Sequence, residues 1–167
     1  MEDAWDRPEG GGGRTRVLEN GAVFEKGGVN VSCVYGELSE SFASQLPGPG
    51  RSFVATGVSL VIHPRNPHVP TAHANFRYLE KGDDEHRVAW FGGGADLTPW
   101  VLYEDDAVDF HAAWKAVCAQ HDVADWPRFK KWCDEYFHIP HRGEARGVGG
   151  IFFDDLKEND TVTITFN

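Results

Sequence analysis

The chain has 167 residues and a net charge of −10, which argues against nucleic acid or an anionic membrane surface as a partner because both require basic patches. Its hydrophobic content of 41% predicts a folded domain, and its aromatic content of 13% suits either core packing or a planar ligand. The cysteines are three in number and form no CxxC pair, which favours reduced thiols. Because the sequence shows neither a membrane-spanning apolar run nor a secretory signal or transit peptide, we expect a soluble, cytoplasmic protein.

The N-terminal half is predicted to be mainly β-structure. Residues 1–14 end in a glycine run and are predicted to be a flexible segment, followed by a single domain over residues 15–156. Apolar patterns and turn residues predict strands at residues 14–19, 22–25, 29–35 and 52–63, a hairpin turn at Asn20-Gly21 and a short helix over residues 37–46.

The C-terminal half combines strands with helices. The patterns predict strands at residues 72–80, 86–91 and 151–153, a helix over residues 104–121 and a second helix capped by Asp125. Residues 157–167 are a tail without an assigned place, although residues 161–166 have the composition of a strand. Consecutive strands followed by helices predict an α+β fold with a largely antiparallel sheet.

Three polar side chains alternate along one predicted strand. His73, Asn75 and Arg77 are two residues apart and therefore share a face. Arg77 is suited to binding a carboxylate with two parallel hydrogen bonds, and His73 to moving a proton near neutral pH. The spacing alone favours the solvated face of a half-exposed strand, and a substrate site is the alternative.

A glycine run with an acidic residue directly after it follows the next strand. Three glycines at 92–94 allow close approach of a ligand to the backbone, and Asp96 is a candidate anion beside that ligand. A turn in which Asp96 is only a local cap is the alternative. The run is no phosphate-binding motif, since it lacks both the GK[ST] ending and the GxGxxG spacing.

A loop over residues 141–150 carries basic groups, including His141 and Arg142, among glycines. It is either a clamp for an anionic substrate, with Arg142 as a binding residue, or an exposed connector. Four of the eight histidines, in different elements, could bind a divalent metal, although their spacing matches no known metal motif.

Eight segments together resemble the aerobic, oxygen-dependent coproporphyrinogen III oxidases. They occur in that family's order and approximate spacing. The segments are RPEGGGG at 7–13, VFEKGGV at 23–29, VIHPRNP at 61–67, HANFRY at 73–78, WFGGGADLTP at 90–99, FKKWCD at 129–134, HRGE at 141–144 and GGIFFDDL at 149–156.

The resemblance implies a fold, a reaction and a partner. The expected fold is one large, mostly antiparallel sheet flanked by helices on both faces, in a homodimer. The implied reaction uses O2 to decarboxylate two propionates of coproporphyrinogen III to vinyl groups, which gives protoporphyrinogen IX, CO2 and H2O2 for haem synthesis. The family needs no organic cofactor.

The resemblance also assigns roles to individual residues. His73 matches the family's proton donor, Asp96 the aspartate thought to face the pyrrole N–H groups, and Arg77 a residue of catalysis and substrate binding. Ser59 and Asn75 match further substrate contacts. In some bacterial members, the histidines that match His63, His73, His111 and His141 are proposed metal ligands, whereas other members need no metal.

The chain departs from the family at both ends. It begins just before Trp5 and stops at Asn167, so we expect it to be truncated relative to the family, with a sheet that is incomplete towards the C-terminus. Two alternatives to the oxidase remain at this point. One is a fragment that binds a tetrapyrrole without chemistry, and the other is a histidine-ligated metal oxygenase.

Overall fold

The computed structural model describes residues 1–83 and 85–157. The elements are β1 (Glu2–Asp6), β2 (Gly11–Glu19), β3 (Phe24–Glu37), α1 (Glu40–Ala43), β4 (Ser52–Pro64), β5 (Thr71–Gly82), β6 (Arg87–Thr98), α2 (Glu104–Cys118), α3 (Trp126–Tyr136), β7 (His138–Ile139), β8 (Glu144–Ala145) and β9 (Gly149–Lys157).

One antiparallel sheet of seven strands dominates the fold. Strands β1 to β6 lie in chain order, and β9 returns to pair with β6 after α2, α3 and the small β7–β8 hairpin. The α+β prediction with a large antiparallel sheet and flanking helices is confirmed. No helix in the described ranges combines the length and the apolar character needed to cross a membrane.

The N-terminal residues differ from the prediction. Residues 1–14 were expected to be a flexible segment, but β1 pairs with β2 at the edge of the sheet. The glycine run makes this pairing possible, since a Cβ atom at Gly13 would lie 2.6 Å from the ring of Trp5. The prediction of flexibility was therefore wrong, because the glycines leave room for the indole of the neighbouring strand.

Two further segments differ from the predicted pattern. Strand β3 continues to Glu37, and Ser39 caps α1 by accepting a hydrogen bond from Phe42 N at 3.3 Å, so α1 is shorter than expected. The glycines at 92–94 and Asp96 lie inside β6, which excludes a turn at this point. The proposed strand at residues 161–166 lies outside the described residues.

A buried lysine fastens α1 to the sheet. Lys81 in β5 is 3% exposed, and its Nζ donates to the carbonyl oxygens of Ala43 at 2.7 Å, Leu46 at 3.2 Å and Gly48 at 2.7 Å. Burying an ammonium group is unfavourable unless its donors are satisfied, and these three carbonyls satisfy them. The contact holds the turn after α1 against the end of β5.

The hydrophobic core lies between one face of the sheet and the helices. Its buried members are Ala95, Cys118, Phe129, Ile151, Phe153 and Leu156. Phe76 and Trp114 pack against this cluster, and both α2 and α3 contact β9, so the two helices cover the part of that face near β5, β6 and β9. Burial of each large side chain contributes about 1.5–3 kcal/mol.

Helix α3 packs along β9 and contacts residues from both of its faces. Asp125 caps the helix as predicted, accepting a hydrogen bond from Arg128 N at 3.1 Å. Phe129 packs against Phe153 on the core side, with ring centroids 5.1 Å apart. Tyr136 stacks on the adjacent Phe152, which points to the other face, at 4.0 Å. The end of α3 therefore reaches the face opposite the core.

A β-bulge changes the alternation of β9. Phe153 lies opposite Gly93, but the next paired residue, Leu156, lies opposite Phe91. Asp154 and Asp155 thus share the space opposite one residue of β6, and Asp155 has a φ of 60°. As a result, Asp154 stays on the face away from the core while Leu156 is buried in it.

Candidate active site

The predicted polar row lies on the face of the sheet away from the core. His73, Asn75 and Arg77 project from β5 on the side opposite to Phe76, as their alternation indicated. Across the sheet, Ser59 on β4 lies opposite Asn75, and Asp96 on β6 lies opposite His73. The register therefore brings Ser59, His73, Asn75, Arg77 and Asp96 onto one surface.

His73, Asp96 and Arg146 form a hydrogen-bonded cluster. His73 Nδ1 lies 2.5 Å from Asp96 Oδ1. Arg146 holds the same carboxylate with two bonds, from Nη2 to Oδ1 at 2.7 Å and from Nε to Oδ2 at 3.1 Å. Arg146 Nη2 is also 3.4 Å from His73 Nδ1. This bidentate arrangement fixes the carboxylate in position and orientation.

The carboxylate of Asp96 is almost completely buried, with its side chain 2% exposed. Burial raises the pKa of Asp96, but the hydrogen bonds from His73 and Arg146 and the charge of Arg146 outweigh burial, so the net pKa lies below its ordinary value. Asp96 is thus a carboxylate at neutral pH. Both of its oxygens face His73 and Arg146, so it contacts these two residues rather than the open surface.

Aromatic rings close one side of this cluster. The guanidinium carbon of Arg146 lies 3.7 Å from the ring centroid of Phe137, a distance typical of a cation–π contact. The same ring meets His73 edge-on at 6.0 Å. Phe137 directly follows α3, so this helix helps to position both Arg146 and His73.

Arg77 occupies a second cluster on the same face. Its Nη2 donates to Asp154 Oδ2 at 2.7 Å, and its Nη1 donates to Asn75 Oδ1 at 3.3 Å. The side chain of Arg77 is 32% exposed, and its guanidinium lies 5.9 Å from the ring of Phe152. With five N–H donors, Arg77 retains donors for an anionic ligand.

A shallow groove leads away from Arg77 towards β3. It has a volume of about 140 Å³, and its polar lining includes Asn30, Ser32, Ser59, Asn75 and Arg77. Its apolar lining includes Val34 and Leu79. Ser59 and Asn75 therefore share one surface with Arg77.

Other predicted site residues are not part of this surface. Arg142 forms an ion pair with Glu144 at 2.7 Å, and its side chain is 62% exposed. His111 lies on α2, on the core side of the sheet, where its Nε2 lies 3.0 Å from the carbonyl oxygen of Val148. Within the loop that was predicted as a clamp, the residue that reaches the site is Arg146, four residues after Arg142.

The four histidines do not form a metal site in this structure. His63 is exposed and lies near Thr71, His141 is exposed in the hairpin loop, and Nδ1 of His73 is bonded to Asp96. Across residues 1–83 and 85–157, no three His, Cys, Asp or Glu side chains are grouped so that they could hold a metal ion. The arrangement of the described residues does not fit the four-histidine proposal.

Three site residues escaped the sequence analysis. Arg146 belongs to the basic loop that was predicted as a clamp, but the predicted binding residue of that loop was Arg142. Asp154 follows the two phenylalanines of a predicted strand, and Phe137 follows a helix. The only local signal was the density of basic residues among glycines in the loop, and it did not distinguish one arginine from another.

Comparison with known proteins identifies the family. A family model described as coproporphyrinogen III oxidase matches residues 1–167. The chain belongs to the coproporphyrinogen III oxidase family. It is 55% identical to the oxygen-dependent coproporphyrinogen-III oxidase of Drosophila melanogaster, over 92% of this chain and 42% of that protein. It is also 55% identical to the mitochondrial oxygen-dependent coproporphyrinogen-III oxidase of Mus musculus, over 92% of this chain and 37% of that protein.

Membership of the coproporphyrinogen III oxidase family confirms the resemblance based on the eight sequence segments. The chain spans about two fifths of the length of these curated relatives, 42% and 37% respectively. The polar face described above lies within the part that the relatives share with this chain.

Proposed function

We propose that this protein takes part in the oxygen-dependent oxidation of coproporphyrinogen III to protoporphyrinogen IX. Two propionates each lose CO2 and two hydrogens and become vinyl groups, and for each propionate one O2 accepts two electrons and two protons to give H2O2. The observation that carries this proposal is the single surface on which a carboxylate-bonded histidine, His73, and a half-exposed arginine, Arg77, project from one strand. The names of the two relatives support the same reaction.

Arg77 is the proposed contact for a substrate propionate. The substrate carries four carboxylates and the chain has a net charge of −10, so binding requires a local positive group that offsets the overall field. Arg77 supplies such a group and remains partly exposed beside Asn75 and Ser59. Since the groove of about 140 Å³ is smaller than the roughly 300–1,000 Å³ of typical ligand pockets, the macrocycle would lie across the open face.

His73 is the proposed proton-transfer group. Vinyl formation requires loss of a proton or hydride from the propionate carbon next to the ring, and reduction of O2 to H2O2 consumes protons. An imidazole that bonds to a carboxylate through Nδ1 and keeps a quarter of its side chain exposed is suited to moving such a proton. We propose O2 as the co-substrate and no organic cofactor.

The assembly and location of the protein are also proposals. Several apolar residues on the core-side face, including Val31 at 53% exposure and Val58 at 38%, lie outside the cover of α2, which supports a homodimer or another covering contact. The free cysteines support a reducing compartment such as the cytoplasm, whereas the mouse relative is named mitochondrial. Sedimentation of the purified protein and imaging of the tagged protein test these two points.

Product analysis tests the proposed reaction. Aerobic incubation with coproporphyrinogen III should give a product that has lost CO2 and two hydrogens from each of two propionates, together with H2O2, and anaerobic incubation should give none. Arg77→Met removes a charge-assisted contact worth about 1.5–3 kcal/mol, so kcat/KM should fall about 10- to 100-fold. Arg16→Met, which breaks an exposed pair with Glu2 on the core-side face, is the control.

Binding of coproporphyrinogen III without oxygen consumption would contradict the proposed reaction. That result would support a tetrapyrrole-binding protein without catalytic activity. Loss of activity with a chelator and its recovery with a divalent metal would support a metal oxygenase instead.

A further inference from the structure

The three residues of the His73–Asp96–Arg146 cluster differ in what they can contact within the site. We propose that Asp96 and Arg146 are positioning residues: they fix the tautomer and orientation of His73 and do not themselves contact the substrate. This inference rests on the proposed function, in which His73 transfers a proton. It differs from the role that the family resemblance implies for Asp96, which is direct contact with the pyrrole N–H groups.

Both carboxylate oxygens of Asp96 already accept hydrogen bonds from protein side chains. Oδ1 accepts hydrogen bonds from His73 and from Arg146, and Oδ2 accepts one from Arg146 Nε. The side chain is 2% exposed, compared with 25% for His73. A ligand on the open face therefore reaches the imidazole before it reaches the carboxylate. Direct contact between Asp96 and a macrocycle would require Arg146 to move away.

The bond to Asp96 determines which nitrogen of His73 is available. An ionised carboxylate only accepts hydrogen bonds, so Nδ1 of His73 carries the proton in this contact at 2.5 Å. Nε2 is then the ring nitrogen left to accept or donate a proton on the open face. A carboxylate that holds an imidazole in this way sets both its tautomer and its angle.

Backbone contacts on both sides of Gly147 fix the position of Arg146 next to Asp96. Backbone bonds tie the loop to the neighbouring elements, from Arg146 N to Phe137 O at 3.3 Å and from Val148 N to Leu97 O at 3.0 Å. Between them, Gly147 has a φ of 57°, and a Cβ atom there would lie 2.2 Å from Leu97 O. Only glycine allows the loop to approach β6 this closely. The arginine is therefore anchored beside Asp96 in addition to stacking on Phe137.

Kinetics of Arg146→Met distinguish positioning from substrate binding. We expect kcat to fall about 10²- to 10³-fold, because a small misplacement of a reacting group costs about two orders of magnitude, while KM changes less than threefold. Arg146→Lys keeps the charge but loses the bidentate contact, so kcat should lie between those of Arg146→Met and the wild type. In Arg146→Ala, added guanidinium ion should restore part of kcat. Arg16→Met is the matched control and should leave both constants unchanged.

The tautomer of His73 gives a readout that is independent of turnover. In ¹⁵N-histidine-labelled protein at neutral pH, the wild type should show the proton of His73 on Nδ1. Arg146→Met should leave a mixture of tautomers or broaden the signal, and Arg16→Met should match the wild type. This measurement requires no substrate, so it tests the inference even if product analysis refutes the proposed reaction.

Three results would overturn the inference. The first is a KM for Arg146→Met that rises at least tenfold with an unchanged kcat, which would make Arg146 a direct substrate contact. The second is a lower melting temperature with normal kinetics in the folded protein, which would make the cluster structural only. The third is a wild-type His73 with its proton on Nε2.

Discussion

A single methyl group added at Gly92 should open the ion pair that positions Arg77. Gly92 lies in β6 on the polar face, and a Cβ atom there would be 2.3 Å from Asp154 Oδ1 and 2.8 Å from Arg77 Nε. Real Cβ atoms do not approach other atoms so closely, so Gly92→Ala requires both side chains to shift by about 1 Å. Because the obstructing atoms belong to side chains, the strand itself need not move.

Gly92→Ala should lower both the stability and the activity of the protein, and the two losses differ in size. Arg77 and Asp154 are each about a third exposed, so their ion pair is worth at most about 1 kcal/mol after solvent screening. With the cost of overpacking, we expect a loss of about 1–2 kcal/mol in the free energy of unfolding. A shift of about 1 Å in the propionate contact should lower kcat/KM about 10- to 100-fold, mainly through KM.

Steady-state kinetics with coproporphyrinogen III and urea unfolding measure these effects. Gly28→Ala is the matched control, since no atom lies within 4 Å of a Cβ atom placed at that strand position, and both its stability and its activity should stay close to the wild type. An unchanged KM in Gly92→Ala would refute the argument that Arg77 must keep this position. An equal loss of activity in Gly28→Ala would refute the same argument.

Three further predictions concern the rest of the domain. Lys81→Met removes the donor from three carbonyls in the segment 43–48 and should lower the free energy of unfolding by about 3 kcal/mol; a loss below about 1 kcal/mol in denaturant titrations would mean that water replaces the ammonium group. Burial raises the pKa of the Cys133 thiol to about 12, so a thiol reagent at pH 8 should modify the exposed Cys33 rapidly and Cys133 only after unfolding, which peptide mass analysis can check. The lowered pKa of Asp96 contributes stability that is present above the ordinary value of about 3.8 and is lost as pH falls through the lower pKa of the folded state. The stability advantage of the wild type over Asp96→Asn should therefore shrink below about pH 4 in acid titrations, and a constant difference would contradict the assigned shift.

The sequence predicted the polar row well because strand geometry is local. Two-residue alternation places His73, Asn75 and Arg77 on one face in any extended strand, and the structure confirms this arrangement. Glycine runs were harder to interpret, since glycine alone favours turns and flexible segments. At Gly13 and Gly92 the glycines instead make room for large side chains of neighbouring strands, a requirement that depends on pairing between distant parts of the chain.

The contact between Arg146 and Asp96 could not be predicted from local patterns. Arg146 meets Asp96 across 50 residues of sequence, and that contact depends on the path of α3 and of the β7–β8 hairpin. Arg142, four residues earlier in the same loop, pairs with Glu144 instead. Composition indicated a basic loop near an anion, but only the three-dimensional fold selects which arginine faces the buried carboxylate.

The bulge at Asp155 lets β9 contribute side chains to both the polar face and the core within nine residues. Before the bulge, Phe152 and Phe153 alternate between the polar face and the core, and after it Leu156 returns to the core at a position where strict alternation would have exposed it. A regular β9 of the same sequence, without the bulge, would turn every side chain after Asp154 to the other face: Asp155 would point into the core and Leu156 to the polar face. The bulge thus accommodates one extra residue in β9, while Asp154 stays beside Arg77 and Leu156 stays in the core.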